Sequence, residues 1–596
     1  MGSVLVLLAW LQSCPAPAAV CEPAMSAAQS LADTMDMVAV TSSARKAQAN
    51  FERQRIGYLP VNYDGFGGDC DEVIGRICTT YSEGEWYPDV EHEEIVRMRR
   101  RLLQYLDSTQ KLVPSSDWIL GQRVWYRVEA GDLGEALMAA VTCGRAQPWW
   151  CSALRGFALH NAGDYRNALG AFEEALARMD PDQAEQWRVP RWPVDSKTRD
   201  LLHDTQTEPG TASTLLKRFW MLADPLYLAP GNDRLTEHYA RWTASQMRAT
   251  ARNPFLLGWG SDLSQLTIRN GWEMGWERRL GSNSASNADA VGHMHPEGRD
   301  FMPPAEALKD TDGVTVEDMR ADRKSPRSLY APAYAPVFLP MEGQLAVFPR
   351  GLETAVVASH FLPEDTTFHS GHEHPLPWME TGPYSDEPDR IGLFLLSPDG
   401  ELLDQSQKLG GTDGALMVEA RTGPLVVSAE SWAPERRRAG RMRIRMAERR
   451  MLEDIATLSD LLLLAPSAAS AKRLEQAVPH ALPQARILAG EPIAIGWEVS
   501  GLGFRPETLR FRISVERIDQ SVFRRIGQFL GLASRPRPLE LSWDEAAPAV
   551  PGHEFHFLSL NLPSLDNGRY EIRLVLSTVG RSDAESTAVF QVTGTR

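Results

Sequence analysis

Histidines are the residues of this sequence with the clearest capacity for chemistry. Six of the 13 fall between positions 293 and 374: His293, His295, His360, His369, His372 and His374. H-x-H occurs twice, in GHMHPE (292–297) and in FHSGHEHP (368–375). On an extended chain residues i and i+2 point to one side, so each pair could share a metal ion. The aspartate that a loop of the form H-x-H-x-D-H needs is missing, and Glu373 stands between His372 and His374. Glycine and proline flank both motifs, which equally fits polar histidines on turns. A metal-dependent hydrolase is thus one expectation, with His293, His295, His369, His372 and His374 as candidate ligands.

A second stretch, FLLGWGSDL (255–263), raises the question of a working carboxylate. Asp262 as a general base would need a polar partner, and Glu237 and His238 in the preceding helical pattern are the candidates. The competing reading is a packing corner. Glycines around Trp259 would permit positive φ, the indole would bury a large surface, and Ser261 or Asp262 would satisfy turn amides. The corner reading is preferred. Among the familiar motifs, G-x-S-x-G, G-x-x-x-x-G-K-[ST], H-E-x-x-H and S-x-x-K with K-T-G are absent. DGFGGD (64–69) reads as a turn and HEFH (553–556) as part of an alternating strand.

Cysteines carry a further possibility. Cys70 and Cys78, and Cys143 and Cys151, are two pairs with the same spacing. They are disulfide candidates, with three possible connectivities, and free thiols or a metal site are the rivals. A wholly helical segment would place the members of a pair about 12 Å apart, too far to bond.

The elements that would position these residues begin with a repeat. AGDLGEALMA (130–139) and AGDYRNALGA (162–171) are copies of one pattern. In the second, Gly156, Ala168, Phe172 and Ala175 supply small residues where two helices approach and a ring to fill the gap. This pattern resembles a tetratricopeptide repeat, and helical patterns at 93–106 and 215–222 would extend the stack. Such a stack either packs without a ligand or offers a peptide groove. Further on come Phe219-Trp220, Asp224-Pro225, Asn232-Asp233-Arg234, Glu237-His238, Arg241 and Gly258-Trp259-Gly260-Ser261-Asp262. Their order and spacing resemble the GWxTD domain of exported bacterial proteins, with Ser261 in place of the usual threonine. The resemblance implies a domain and an exported setting but no reaction.

The pattern changes after Tyr330 to short β-prone runs such as TAVVASHFL, IGLFLLSPDG and GPLVVSAESWA, then PIAIGWEVSGL and GRYEIRLVLS. The expected fold class is multidomain α+β: an N-terminal helical, tetratricopeptide-like region, an α/β GWxTD-like domain and two C-terminal immunoglobulin-like β-sandwiches. Expected boundaries are a signal peptide at 1–20, an N-terminal segment at 21–110, helical repeats at 111–205 and the GWxTD-like domain at 206–280. A loop or linker follows at 281–330, a sandwich at 331–450, a linker at 451–482 and a sandwich at 483–596. The chain of 596 residues is far too long for one core. In the basic run ERRRAGRMRIRMAERR (435–450), Arg441, Arg443 and Arg445 alternate with Met442, Ile444 and Met446. This predicts an edge strand with its arginines in solvent.

Val4–Leu11 is an apolar run of signal-peptide length, Ala16-Pro17-Ala18 offers a cleavage site, and Leu11-Gln12-Ser13-Cys14 resembles a lipobox. A formal net charge of −16 argues against nucleic-acid binding. The 17 tryptophans, Trp149, Trp150, Trp259, Trp272, Trp276 and Trp378 among them, read as core, with sugar stacking as the alternative. The functional expectation is a non-enzymatic scaffold with protein partners in the periplasm or at the outer membrane, without a cofactor or a transmembrane helix and with a possible lipid anchor at Cys14. The hydrolase and a carbohydrate or cell-wall binder are the alternatives.

Overall fold

A computed structural model describes residues 22–62, 70–80, 89–204, 209–280, 288–295, 297–309, 328–363, 382–449, 455–502, 505–518, 539–561 and 565–594. The protein is mixed α+β, helical toward its N-terminus and β-rich toward its C-terminus. The segment expected to be a signal peptide, Cys14, DGFGGD, Trp378, His369, His372 and His374 lie outside the described residues.

The chain forms two compact units that are interleaved in sequence. The first takes residues to Thr80, then Pro88–Arg188 and His238–Met294; the second takes Val189–Glu237 and His295–Arg596. This differs from the expected succession of domains. The division falls inside helix Asp233–Arg248, between Glu237 and His238.

In the first unit the repeat is built as helix pairs. Helix Asp117–Glu129 is followed by Leu133–Val141, and Pro148–Asn161 by Tyr165–Arg178. Both A-G-D turns put their glycine at positive φ, Gly131 at 75° and Gly163 at 81°, where a side chain would be strained. Side chains cap the helices: Ser116 accepts from Ile119 N and Asp164 from Asn167 N, each at 3.3 Å. A Cβ added at Gly156 would stand 2.7 Å from the Phe172 ring, so the small residue is what lets the two helices close. Helix Glu93–Leu112 packs into the same unit through Ile95, Leu102 and Leu106. The helical pattern at 215–222 falls in helix Pro209–Ala223, which belongs to the second unit.

Cys143 and Cys151 are bonded, tying the turn after Leu133–Val141 to the first turn of Pro148–Asn161. Cys70 and Cys78 are bonded across a hairpin of strands Glu72–Ile74 and Ile77–Thr79, where an extended backbone brings the Cα atoms to 5.4 Å. The hairpin escapes the distance that a helix would impose. Two disulfides fit an oxidising compartment. Among the described residues no helix is long and apolar enough to cross a membrane.

The second unit is a stack of sheets. Strands Leu402–Leu409, Arg390–Leu396, Leu425–Ala433, Arg438–Met446 and Val337–Pro340 form one sheet in that order, its last pair parallel. Asp413–Arg421, Glu353–Phe361 and Glu342–Arg350 form a second. Val356, Ala358, Leu393, Leu395, Leu416, Val418, Val427 and Ala429 interdigitate in one core from these two sheets. Ala355 and Val357, on the opposite face of the same strand, join Leu462, Leu464, Leu474 and Ala494 in another core. Strand Glu353–Phe361 is therefore covered on both faces, which explains its unbroken apolar run. Trp497, Phe511, Ile513 and Leu574 centre a third core between the two remaining larger sheets.

Both expected linkers contain structure. Residues 451–482 supply strand Leu462–Leu464 and helix Leu474–Ala477 to the core just described. In 281–330, strand Ala288–His293 pairs with Gly275–Leu280, and Arg299 bridges Tyr330. Strand Arg438–Met446 is internal rather than an edge, and its arginines are buried: Arg441 is 1% exposed, Arg443 0% and Arg445 4%. This reverses the expected facing.

Candidate functional site

Asp262 lies in the first turn of helix Ser261–Asn270, where a negative charge complements the helix dipole. Its carboxylate is gripped from 186 residues earlier in the chain. Arg76 Nε donates to Oδ2 at 2.6 Å and Arg76 Nη2 to Oδ1 at 2.8 Å, while the backbone N–H of Leu263 adds a third bond at 2.8 Å. Arg76 Nη2 also donates to the Gly258 carbonyl at 2.8 Å. The guanidinium holds the Asp262 carboxyl well below the usual carboxylate range, followed in effect by the backbone donors. A carboxylate held this way is a poor base.

Neither glycine of this corner has positive φ, and only Gly260 serves a close approach, since a Cβ at Gly258 would meet nothing within 4 Å. Gly260 has φ −142°, and a Cβ there would meet Asp262 Oδ1 at 2.8 Å and Arg76 Nη2 at 3.1 Å. The left-handed residue is Leu256, at φ 57°. Trp259 donates from Nε1 to Ser264 Oγ at 2.9 Å, and Arg248 lies over its ring. Across the corner, Arg269 makes a two-pronged bond to Glu72, at 2.8 and 2.9 Å.

The proposed partners of Asp262 are engaged elsewhere. His238 is buried in the first unit with Nε2 2.7 Å from the Trp187 carbonyl. Glu237 is buried and belongs to the second unit. His293 Nε2 faces Glu277 at 3.2 Å in the first unit. His295, in the second, accepts from the Glu297 N–H at 3.1 Å. Burial, with Arg437 and Arg299 nearby, pushes its imidazole down to about 3. His360 is 0% exposed in strand Glu353–Phe361, and burial pushes it down to about 4. Among the described residues no group of three or more His, Cys, Asp or Glu could hold a metal ion.

Several tryptophan rings meet other rings inside the first unit. Trp149 lies 5.4 Å from Trp150 and 6.3 Å from Trp187, Trp272 lies 5.3 Å from Phe157, and Trp276 lies 4.7 Å from Phe255.

A buried polar cluster lies among residues that sequence reasoning did not single out for chemistry. In the second unit Arg443 donates from Nε to Ser428 at 3.0 Å and from Nη2 to Glu430 at 3.0 Å. Its Nη1 donates to the carbonyls of Leu222 and Asp224, at 2.9 and 2.8 Å. Its guanidinium also lies 4.0 Å from the Tyr227 ring. Arg441 reaches the Asp224 and Pro225 carbonyls, and Arg445 those of Ala307 and Lys309. Glu430 accepts from Leu228 N at 3.0 Å. Arg443 thus reaches the carbonyl end of helix Pro209–Ala223, and Arg441 the two residues that follow it, where cations are favoured. Burial and the neighbouring Asp233 push the Asp224 carboxyl well above its usual value. Asp233 itself accepts from the hydroxyls of Tyr330 and Tyr334. The available signal was Glu430, a lone acid inside the apolar run GPLVVSAESWA.

No family model matches the chain, and no curated protein matches it. Solved structures similar over part of its length include red sea bream transglutaminase, at 11% identity over 42% of this chain and 31% of that one, with a TM-score of 0.13. A Bacteroides uniformis β-glucuronidase is 9% identical over 40% of this chain and 26% of that one, TM-score 0.16. A putative membrane anchored protein from Corynebacterium diphtheriae is 11% identical over 43% and 59%, TM-score 0.15. The chain thus spans less than two thirds of each, and scores this low assign neither fold nor function.

Proposed function

We propose that this protein is an exported, non-catalytic interaction scaffold of the bacterial cell envelope, acting in the periplasm or at the outer membrane. The Arg76–Asp262 clasp carries the reading: the residue best placed by sequence to act as a base is bonded as a structural clamp. The resemblance of the 219–262 motif to the GWxTD domain of exported proteins supports the same reading, as do the two disulfides. In this reading the helix pairs form a tetratricopeptide-like docking unit, and the sheets of the second unit are immunoglobulin-like sandwiches serving as spacer. Leu112, Met138 and Val141 leave apolar side chains exposed on helices Glu93–Leu112 and Leu133–Val141.

The test is a photo-cross-linking amino acid placed at each of these three positions in intact cells. A discrete, reproducible protein adduct from at least one position is expected, and it should persist in the Asp262→Asn chain. Absence of any adduct from all three would sink the proposal. So would a turnover that Asp262→Asn abolishes without unfolding the protein.

A further inference from the structure

The two disulfides close loops of equal length, each with a sequence separation of 8, yet they hold different things. Cys143–Cys151 joins helices that pack against each other, and both cysteines are half-buried. Cys70 and Cys78 are both exposed, and their bond closes a hairpin whose strands have three residues each. A two-stranded hairpin is marginal in water, so this one depends on its cross-link and on what it rests against.

It rests on the helix that carries Asp262. Ile74 and Ile77 share a small core with Leu263 and Leu266, edged by Phe255, Leu257, Trp259 and Met294. Arg76 at the turn grips Asp262, and Glu72 grips Arg269. Gly75, at φ +59°, brings the turn so close that a Cβ would stand 2.6 Å from Asp262 Cβ.

We propose that Cys70–Cys78 is a thiol–disulfide exchange site, and that its reduction by a dithiol releases the hairpin and uncovers the apolar face of helix Ser261–Asn270. One thiolate of the reductant attacks an exposed cysteine sulfur, forming a mixed disulfide and freeing the other cysteine as a thiol. The second reductant thiolate then displaces the remaining cysteine. The reductant leaves as a disulfide, and both cysteines take up its two protons. The reduced hairpin has lost the constraint on its open state while keeping two ion pairs, one with a half-exposed arginine and one largely buried, and a small apolar contact, so it opens locally. The inference is independent of the scaffold reading, since it concerns this protein's own covalent state.

Hydrogen–deuterium exchange of the full chain, with and without dithiothreitol, tests it. The Cys143→Ser/Cys151→Ser variant isolates the Cys70–Cys78 bond, and the unaltered chain provides a measurement free of substitutions. Reduction is expected to raise exchange at least tenfold at the amides of 72–79 and of 261–270, and to leave helix Pro148–Asn161 protected in the unaltered chain. Unchanged exchange at 72–79, with both thiols shown free by alkylation, would overturn the proposal. Reduction of Cys143–Cys151 ahead of Cys70–Cys78 would also overturn it.

Discussion

The Arg76–Asp262 clasp of the first unit and the Arg443–Glu430 pair of the second use the same two functional groups in different surroundings. The Arg76 side chain is 49% exposed, so water competes for its donors and salt screens its charge. Arg443 and Glu430 are wholly buried, and each must find its partners within the protein. The first contact fixes where a small hairpin rests. The second is bonded into a network with Ser428, Tyr227 and three carbonyls, so losing one member strands the others.

The largest effect should come from breaking the buried pair. Arg443→Ala leaves Glu430 charged without a counter-ion and is expected to cost about 3–5 kcal/mol in urea unfolding, insensitive to salt. Arg443→Met with Glu430→Leu should recover much of that loss; a double variant as unstable as the single one would refute the pairing argument.

A second buried carboxylate tests the same principle in the first unit. Burial pushes Glu52 from 4.5 up to about 6, against the opposing pull of Arg55. The folded state therefore holds a proton that the unfolded chain has released. That stability is fully present below about 4.5 and is lost as pH rises through about 6, roughly 2 kcal/mol across the window. Glu52→Gln should flatten this part of the stability–pH curve, and an unchanged slope would count against the assignment.

At the clasp, Gly75→Ala forces a Cβ onto Asp262 at positive φ and is expected to cost about 1–2 kcal/mol. Exchange at 72–79 would rise while the disulfide stays intact. The smallest effect belongs to Asp262→Asn, about 1 kcal/mol or less and shrinking in high salt. A double-mutant cycle with Arg76→Gln should show the two side chains coupled. If Asp262→Asn were costlier than Arg443→Ala, the contrast between wet and dry pairs would fail.

What was legible in the sequence was local. The A-G-D turns and the Gly156–Phe172 contact follow from neighbours in the chain. The arginine strand was misread because period-two alternation tells which residues share a face, not which face is covered. Here the carbonyls at the end of helix Pro209–Ala223 lie over the arginine side, so donors are needed where apolar residues are usual. Asp262 was matched with Glu237 and His238 because they are near in sequence, whereas its true partner comes from a disulfide-closed hairpin 186 residues away. No periodicity reports such a pairing.

The order in which the chain passes through its two units has a consequence for biosynthesis. Strand Ala288–His293 and helix Ser261–Asn270 complete the first unit, yet residues 189–237 of the second emerge before them. Cutting at any single peptide bond cannot part the two cleanly: a cut after Met294 frees the first unit but carries residues 189–237 of the second with it. The first unit is complete in sequence once Met294 has been made, whereas residues 189–237 must wait through its closing segment for residues 295 onward before their own unit can close.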